Sequence, residues 1–453
     1  MSRRAWILAA VLAAVSVAYL ALRHLEPPEG IQASPMVVRA AVDLTAPAAG
    51  TAAVRLEFDK DALKGRRQLL LGFADARPGS AALQDIVVEV DGSAVRSVLE
   101  GYEGALLLRA PLPSRGATAA SVRYTVDPTF YPLGLPRGRR TVADARGRIT
   151  GDLAVVRSTS LLPILDADGA SYHVTFALPE GWSAVAPWPF DGAAFSATVT
   201  AAGGPEYLAF GPLHVTFITV GDATIQVAVA PDAGSEAMVE TIVRRIVDLL
   251  ASPLKRQGVF VATMVPADFM HGGAAGRYSI VQFGSPQVIA HEVFHWWNDG
   301  SLTARDAGWF REGLTQHYGI RVAREVGATT TEQERACLAD LEAEVRALEQ
   351  RGGRSLVAAS LDPGDNRLMY SKGALFWLHV DAKLRRSGRF LEEAVRRVLT
   401  SDRQDLNSED LRSVFSTVYG GLLDEDFDLY VMGAERLPDL GLGPATGRSG
   451  CAR

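Results

Sequence analysis

The hydrophobic period of this chain changes once, and that change bounds what it can fold into. From about Met36 to Ala230 apolar residues recur at every second position in short runs closed by Gly, Pro or Asp, as in VRLEF (54–58), DIVVEVDG (85–92), SVRYTV (121–126), SYHVTFALPEGW (171–182) and TIQVAVA (224–230). Period two sends alternate side chains to opposite faces of a strand, so residues 31–230 are predicted to form an antiparallel, β-sandwich-like domain. At Ser235 the period lengthens: Val239, Ile242, Val243, Ile246, Val247 and Leu250 repeat at three- and four-residue steps, the spacing of one helix face. Two β-like pieces follow (258–266 and 276–284), and then helices over 307–325, 332–350, 367–386, 390–399, 409–418 and 424–432. A second, mainly α-helical domain is therefore expected over 231–435, with a flexible Gly/Pro-rich tail over 436–453.

Residues 1–30 stand apart from both regions. Trp6–Leu22 is a run of 17 residues without a charge, preceded by Arg3 and Arg4 and followed by Arg23 and a Pro/Gly linker. At 1.5 Å per residue it spans roughly 25 Å, enough for a thin bilayer. The expectation is a single-pass anchor with a cytoplasmic tip and the bulk of the chain exported, the alternative being secretion after signal cleavage. The formal net charge of −6, without any basic block, argues against nucleic acid as a partner. Two cysteines, Cys337 and Cys451, are too few for a disulfide framework, and no bridge between them is expected. The Gly/Pro/Arg-rich stretch from Asp127 to Gly151 reads as a long connection.

Chemistry enters with His291-Glu292-Val293-Phe294-His295. Ser285 suits an N-cap, Pro286 the first helical position and Gly300 a stop, so the pattern falls on a helix of about 13 residues. On such a helix His291 and His295 lie one above the other and point two imidazoles at one spot, with Glu292 beside them. This is how a helix presents one zinc ion and a general base. A catalytic zinc takes three protein ligands, and Glu312 in DAGWFREGLTQHYG is the first candidate for the third. Asp306 can cap its helix, Gly313 lets it approach the first helix, and the apolar company of Trp309, Phe310, Leu314 and Tyr318 implies that its carboxylate has a partner. Asp299, Asp306 and His317 are weaker substitutes. With zinc held by His291, His295 and Glu312, the expected chemistry is hydrolysis of a peptide by a zinc-bound water that Glu292 deprotonates.

HEVFHWWN followed by WFREGLTQHY resembles the gluzincin metallopeptidases, most of all the glycyl aminopeptidase family and more distantly the aminopeptidase N family. The resemblance covers roughly Ser235 to Gly433. It implies a thermolysin-like catalytic domain, Zn²⁺ as cofactor and Glu312 as third ligand. It also implies an oxyanion-stabilising role for Tyr370, which leads the segment Tyr370-Ser371-Lys372-Gly373. Sixteen residues separate His295 from Glu312, two fewer than the aminopeptidase N spacing. Those families also carry a Gly-x-x-Glu element whose glutamate holds the substrate's free amine, and here Gly272-Gly273-Ala274-Ala275 puts Ala275 in that place. The choice between aminopeptidase and endopeptidase therefore stays open. In a site of this kind an edge strand, expected within Gly276–Phe283, would hold a peptide in extended form. Two other readings are a peptide-binding protein that has kept the scaffold without catalysis, and a zinc hydrolase of small non-peptide substrates.

Overall fold

The computed structural model describes residues 37–74, 82–102, 105–113, 116–128, 147–165, 170–199, 206–234, 236–251, 254, 258–266, 268–269, 273–283, 285–298, 304–350, 352–362, 366–403 and 405–445. The expected anchor at Trp6–Leu22, most of the Arg-rich connection, Asp299, Gly300 and residues 446–453 lie outside that description. Among the described residues no helix is long and apolar enough to cross a membrane. The chain divides into two compact units, Met1–His214 and Val215–Arg453.

The first unit is built of strands, as the period-two pattern requires. In its seven-stranded sheet Val37–Asp43 runs antiparallel to Ala52–Phe58 and parallel to Ala170–Ala177. That parallel pair departs from the antiparallel expectation, because strands so far apart in sequence are not tied by a hairpin. Val38, Ala40 and Val42 face inward while the residues between them are exposed, and they join a core with Leu56, Leu71, Val122 and Tyr172. His173 lies on the exposed face of its strand, and His214, at the boundary, is exposed as well.

The second unit opens with a five-stranded sheet: β1 (His214–Val220), β2 (Ala223–Val229), β3 (Val259–Val265), β4 (Gly273–Ala275) and β5 (Ser279–Phe283), in the order β1-β2-β3-β5-β4. The period-two pattern thus runs past the division between units. Helix α1 (Glu236–Leu250) carries the crossover between the parallel strands β2 and β3. β5 lies between β3 and β4, so the expectation of an edge strand within Gly276–Phe283 is corrected: the edge is β4. Three residues of Gly and Ala are too short to leave a period-two signal.

Helix α2 (Pro286–Asn298) has the predicted start and length, 13 residues, and every residue from Gln287 to Asn298 is buried. A helix buried on every side belongs at the centre of a domain. Then follow α3 (Leu314–Glu325), α4 (Thr331–Glu349), α5 (Leu356–Leu361), α6 (Asn366–Arg386), α7 (Leu391–Leu399) and α8 (Ser408–Tyr419). α4 starts at a capping box of Thr330 and Gln333. The tail read as loose from Arg436 is seated at first, since Leu437, Leu440 and Leu442 pack on a cluster that includes Ile320, Cys337 and Leu341. Cys337 is disulfide-bonded, against the expectation of no bridge.

A candidate metal centre

The helix predicted over 307–325 is three pieces: a 3₁₀ turn (Arg305–Ala307), a π-helical turn (Trp309–Gly313) and α3. Glu312 sits in the π turn, the kind of local widening that recurs at functional sites. Asp306 does not cap this helix; its carboxylate accepts the Ser408 amide at 3.0 Å, at the start of α8. Trp309 anchors the turn by stacking on Trp377 at 5.5 Å and donating from Nε1 to Ser408 Oγ at 3.0 Å. Asn298, the last residue of α2, holds the other side: its Nδ2 donates to the Arg311 carbonyl at 2.7 Å and to Thr315 Oγ1 at 2.9 Å. The π turn and the zinc-type helix are thereby tied one residue from Glu312.

Small residues set the helix spacing. A Cβ on Gly313 would come within 2.6 Å of Gly373 Cα, and one on Gly373 within 2.8 Å of Gly313 Cα. Gly313 therefore brings its turn onto α6, where Tyr370 is, and not onto α2 as the sequence suggested. The contact with α2 is made by Gly319, whose added Cβ would stand 3.2 Å from His291 Cβ.

These constraints gather His291, His295 and Glu312, whose ligand atoms lie within 4.8 Å of one another. The two imidazole Nε2 atoms are 3.1 Å apart, and Glu312 Oε2 is 3.5 Å from that of His295 and 3.8 Å from that of His291. A triangle with those sides has a point about 2.0 Å from all three corners, while zinc binds imidazole nitrogen and carboxylate oxygen at roughly 2.0–2.2 Å. Glu312 Oε2 is also buried and accepts no hydrogen bond, the state of an oxygen placed for a cation. The donors therefore fit a zinc ion in spacing and chemistry. Neither Asp306 nor His317 joins them. His317 is buried against the Tyr318 ring, and burial, with Arg321 beside it, pushes its pKa down to about 3.

Glu292 lies on the next position of α2, against β4: a Cβ on Gly273 would stand 2.3 Å from Glu292 Oε1 and 2.5 Å from Cγ. The edge strand thus carries a gap that the Glu292 carboxylate fills. Ala275, two residues along, pairs with Ile280 of β5. The Tyr370 ring stacks on His291 with centroids 5.7 Å apart and planes at 16°. Burial holds its hydroxyl well above the usual phenol range, and the carboxylates of Glu312 and then Glu292 raise it further, so Tyr370 stays a proton donor across the neutral range. The structure thus brings Tyr370 against His291 and keeps Glu292 next to it on α2, beside the cluster of His291, His295 and Glu312. Gly273 and the tethering role of Asn298 were missed, since neither glycine nor asparagine announces a tertiary contact.

No sequence-family model matches this chain, and no curated protein matches it by sequence. Solved structures match by fold. An aminopeptidase N family protein from Idiomarina loihiensis aligns with TM-score 0.70 at 15% identity, over 89% of this chain and 77% of its own. The M1 zinc metallopeptidase of Deinococcus radiodurans aligns with TM-score 0.56 at 16% identity, over 92% and 97%. Yeast LTA4 hydrolase in complex with bestatin aligns with TM-score 0.54 at 15% identity, over 92% and 71%. The fold is that of the M1 zinc metallopeptidases, the aminopeptidase N side of the resemblance seen in the sequence.

Proposed function

We propose that this chain is a zinc-dependent peptidase. The observation that carries the reading is the triangle of His291, His295 and Glu312 with Glu292 and Tyr370 at its border. A mutant of the Deinococcus radiodurans enzyme has been solved with a Tyr-Ser-Ala substrate, which supports a peptide as the substrate here. When bound, zinc supplies Lewis acidity, lowering the pKa of a water toward about 7 and polarising the scissile carbonyl. Glu292 would accept a proton from the attacking water and return it to the leaving amine. Tyr370, protonated and buried, donates to the oxyanion as charge develops there. The edge strand β4 offers backbone donors and acceptors to a peptide in extended form, and Gly273 puts that edge directly against Glu292.

The reading extends to the compartment. Trp6–Leu22 supports a single-pass anchor with the catalytic unit exported, and a disulfide at Cys337 suits an oxidising environment. The deciding experiment pairs metal analysis with Glu292→Gln. The parent should bind one zinc per chain and cut peptides, and the variant should keep the zinc and lose hydrolysis. A parent without stoichiometric zinc, or a variant with undiminished hydrolysis, rejects the proposal.

A further inference from the structure

Resting on the peptidase reading above, we infer that Lys372 is a positioning residue that fixes the turn of α6 presenting Tyr370. Its side chain is fully buried, with no exposed surface. Nζ lies 3.0 Å from Glu349 Oε1 at the end of α4 and donates to the carbonyls of Glu435 at 3.0 Å and Arg354 at 3.3 Å. Two backbone carbonyls from different segments thus accept from the ammonium, and a carboxylate from a third segment pairs with its charge. The far oxygen of Glu349 faces Arg436 at 3.9 Å.

The flanking residues act on the same turn. Ser371 Oγ donates to Glu344 Oε2 of α4 at 2.8 Å, and Gly373 rests on Gly313 beside Glu312. Each position from 371 to 373 is thus tied to a different neighbour, and Tyr370 opens that turn. Stability alone does not require a lysine here. α6 already buries Ala374, Leu375, Phe376, Trp377, Val380 and Leu384, and a buried ion pair is commonly replaced by apolar residues without loss. What two directed hydrogen bonds and a buried ion pair add over a methionine of similar length is a fixed rotation and register of the helical turn. A phenol aimed at an oxyanion depends on both.

The test compares Lys372→Met, Lys372→Met/Glu349→Gln, Tyr370→Phe and Lys372→Met/Tyr370→Phe in the full, zinc-loaded chain. It uses steady-state kinetics, bound-zinc analysis and ¹⁹F spectra after 3-fluorotyrosine labelling. Lys372→Met should lower kcat by about ten- to a hundredfold, as a catalytic group displaced by up to 1 Å does, with KM and zinc unchanged. Adding Glu349→Gln removes the orphaned carboxylate, so it should restore thermal stability and leave kcat low. In the Tyr370→Phe background Lys372→Met should cost nothing more. The Tyr370 resonance, assigned among 11 tyrosines by its loss in Tyr370→Phe, should move in both single and paired Lys372 variants. Parental kcat with an unmoved Tyr370 resonance in the paired variant overturns the inference, as does a full additional loss in the Tyr370→Phe background. If Tyr370→Phe itself keeps parental kcat, the oxyanion assignment fails separately, and the ¹⁹F resonance alone decides whether Lys372 positions the ring.

Discussion

Gly273→Ala is the sharpest test of how β4 and α2 share the base. The added methyl would stand 2.3 Å from Glu292 Oε1, 2.5 Å from Cγ and 2.6 Å from Cδ, whereas ordinary contact begins at 3.4 Å. The carboxylate and the strand must therefore separate by about 1 Å, since three atoms of one group block the methyl at once. Gly273 has no left-handed backbone angle, so alanine adds no local strain and the damage is confined to Glu292. A displacement of that size costs roughly a hundredfold in rate, or about 2.7 kcal/mol of transition-state stabilisation. Metal binding should survive, because none of His291, His295 and Glu312 is among the atoms the methyl meets most closely. The assay is kcat/KM on a peptide substrate with zinc content measured on the same sample. Glu292→Asp, which withdraws the carboxylate by one methylene, should cost less in the Gly273→Ala background than in the parent. Zinc-loaded Gly273→Ala with parental kcat/KM would refute the claim that β4 positions the base.

Asn298→Ala removes two hydrogen bonds that hold the Glu312 turn; it should cost about 1–3 kcal/mol of stability and roughly ten- to a hundredfold in zinc affinity, measured by thermal melts and chelator competition. With Ala275 in place of an amine-binding carboxylate, N-blocked and free peptides should be cut at comparable rates; strict dependence on a free amine in a mixed library would show that another acid serves. His317 gives a pH signature. Folded, it takes a proton only near pH 3, whereas an unfolded imidazole does so near 6.5, so the unfolded state binds more protons between those values. Stability should therefore fall as pH drops through that window, with a share from His317 of at most about 1.4 kcal/mol per pH unit, and His317→Gln should flatten that share in urea melts.

The candidate metal site was legible to the extent that its geometry is local. His291 and His295 share a spot because any α-helix brings positions i and i+4 together, and Ser285 and Pro286 mark where that helix starts. The fold class was legible for the same reason, as the two hydrophobic periods are properties of single strands and helices. The division between units at His214 was not, because β1 and β2 carry the same period two as the strands of the first unit. Nor was the edge strand β4, whose identity comes from pairing with β5, or the parallel pair of Val37–Asp43 with Ala170–Ala177.

Glu312 marks where local reasoning stops. Its residue type, apolar neighbours and resemblance pointed to a side chain that does lie beside the imidazoles, yet it reaches them through a π turn that the sequence pattern reads as continuous helix. That turn is held by contacts with no period at all: Asn298 on the Arg311 carbonyl, Trp309 on Trp377, and Gly313 on Gly373. The last contact also binds Glu312's turn to the helix that carries Tyr370. The placements of the proposed ligand Glu312 and the proposed oxyanion donor Tyr370 are therefore coupled through one glycine pair, while the proposed base, Glu292, is set independently by Gly273. It follows that a change at Gly313 should disturb zinc affinity and kcat together, whereas a change at Gly273 should disturb kcat alone, and that contrast follows from which backbone each side chain rests on.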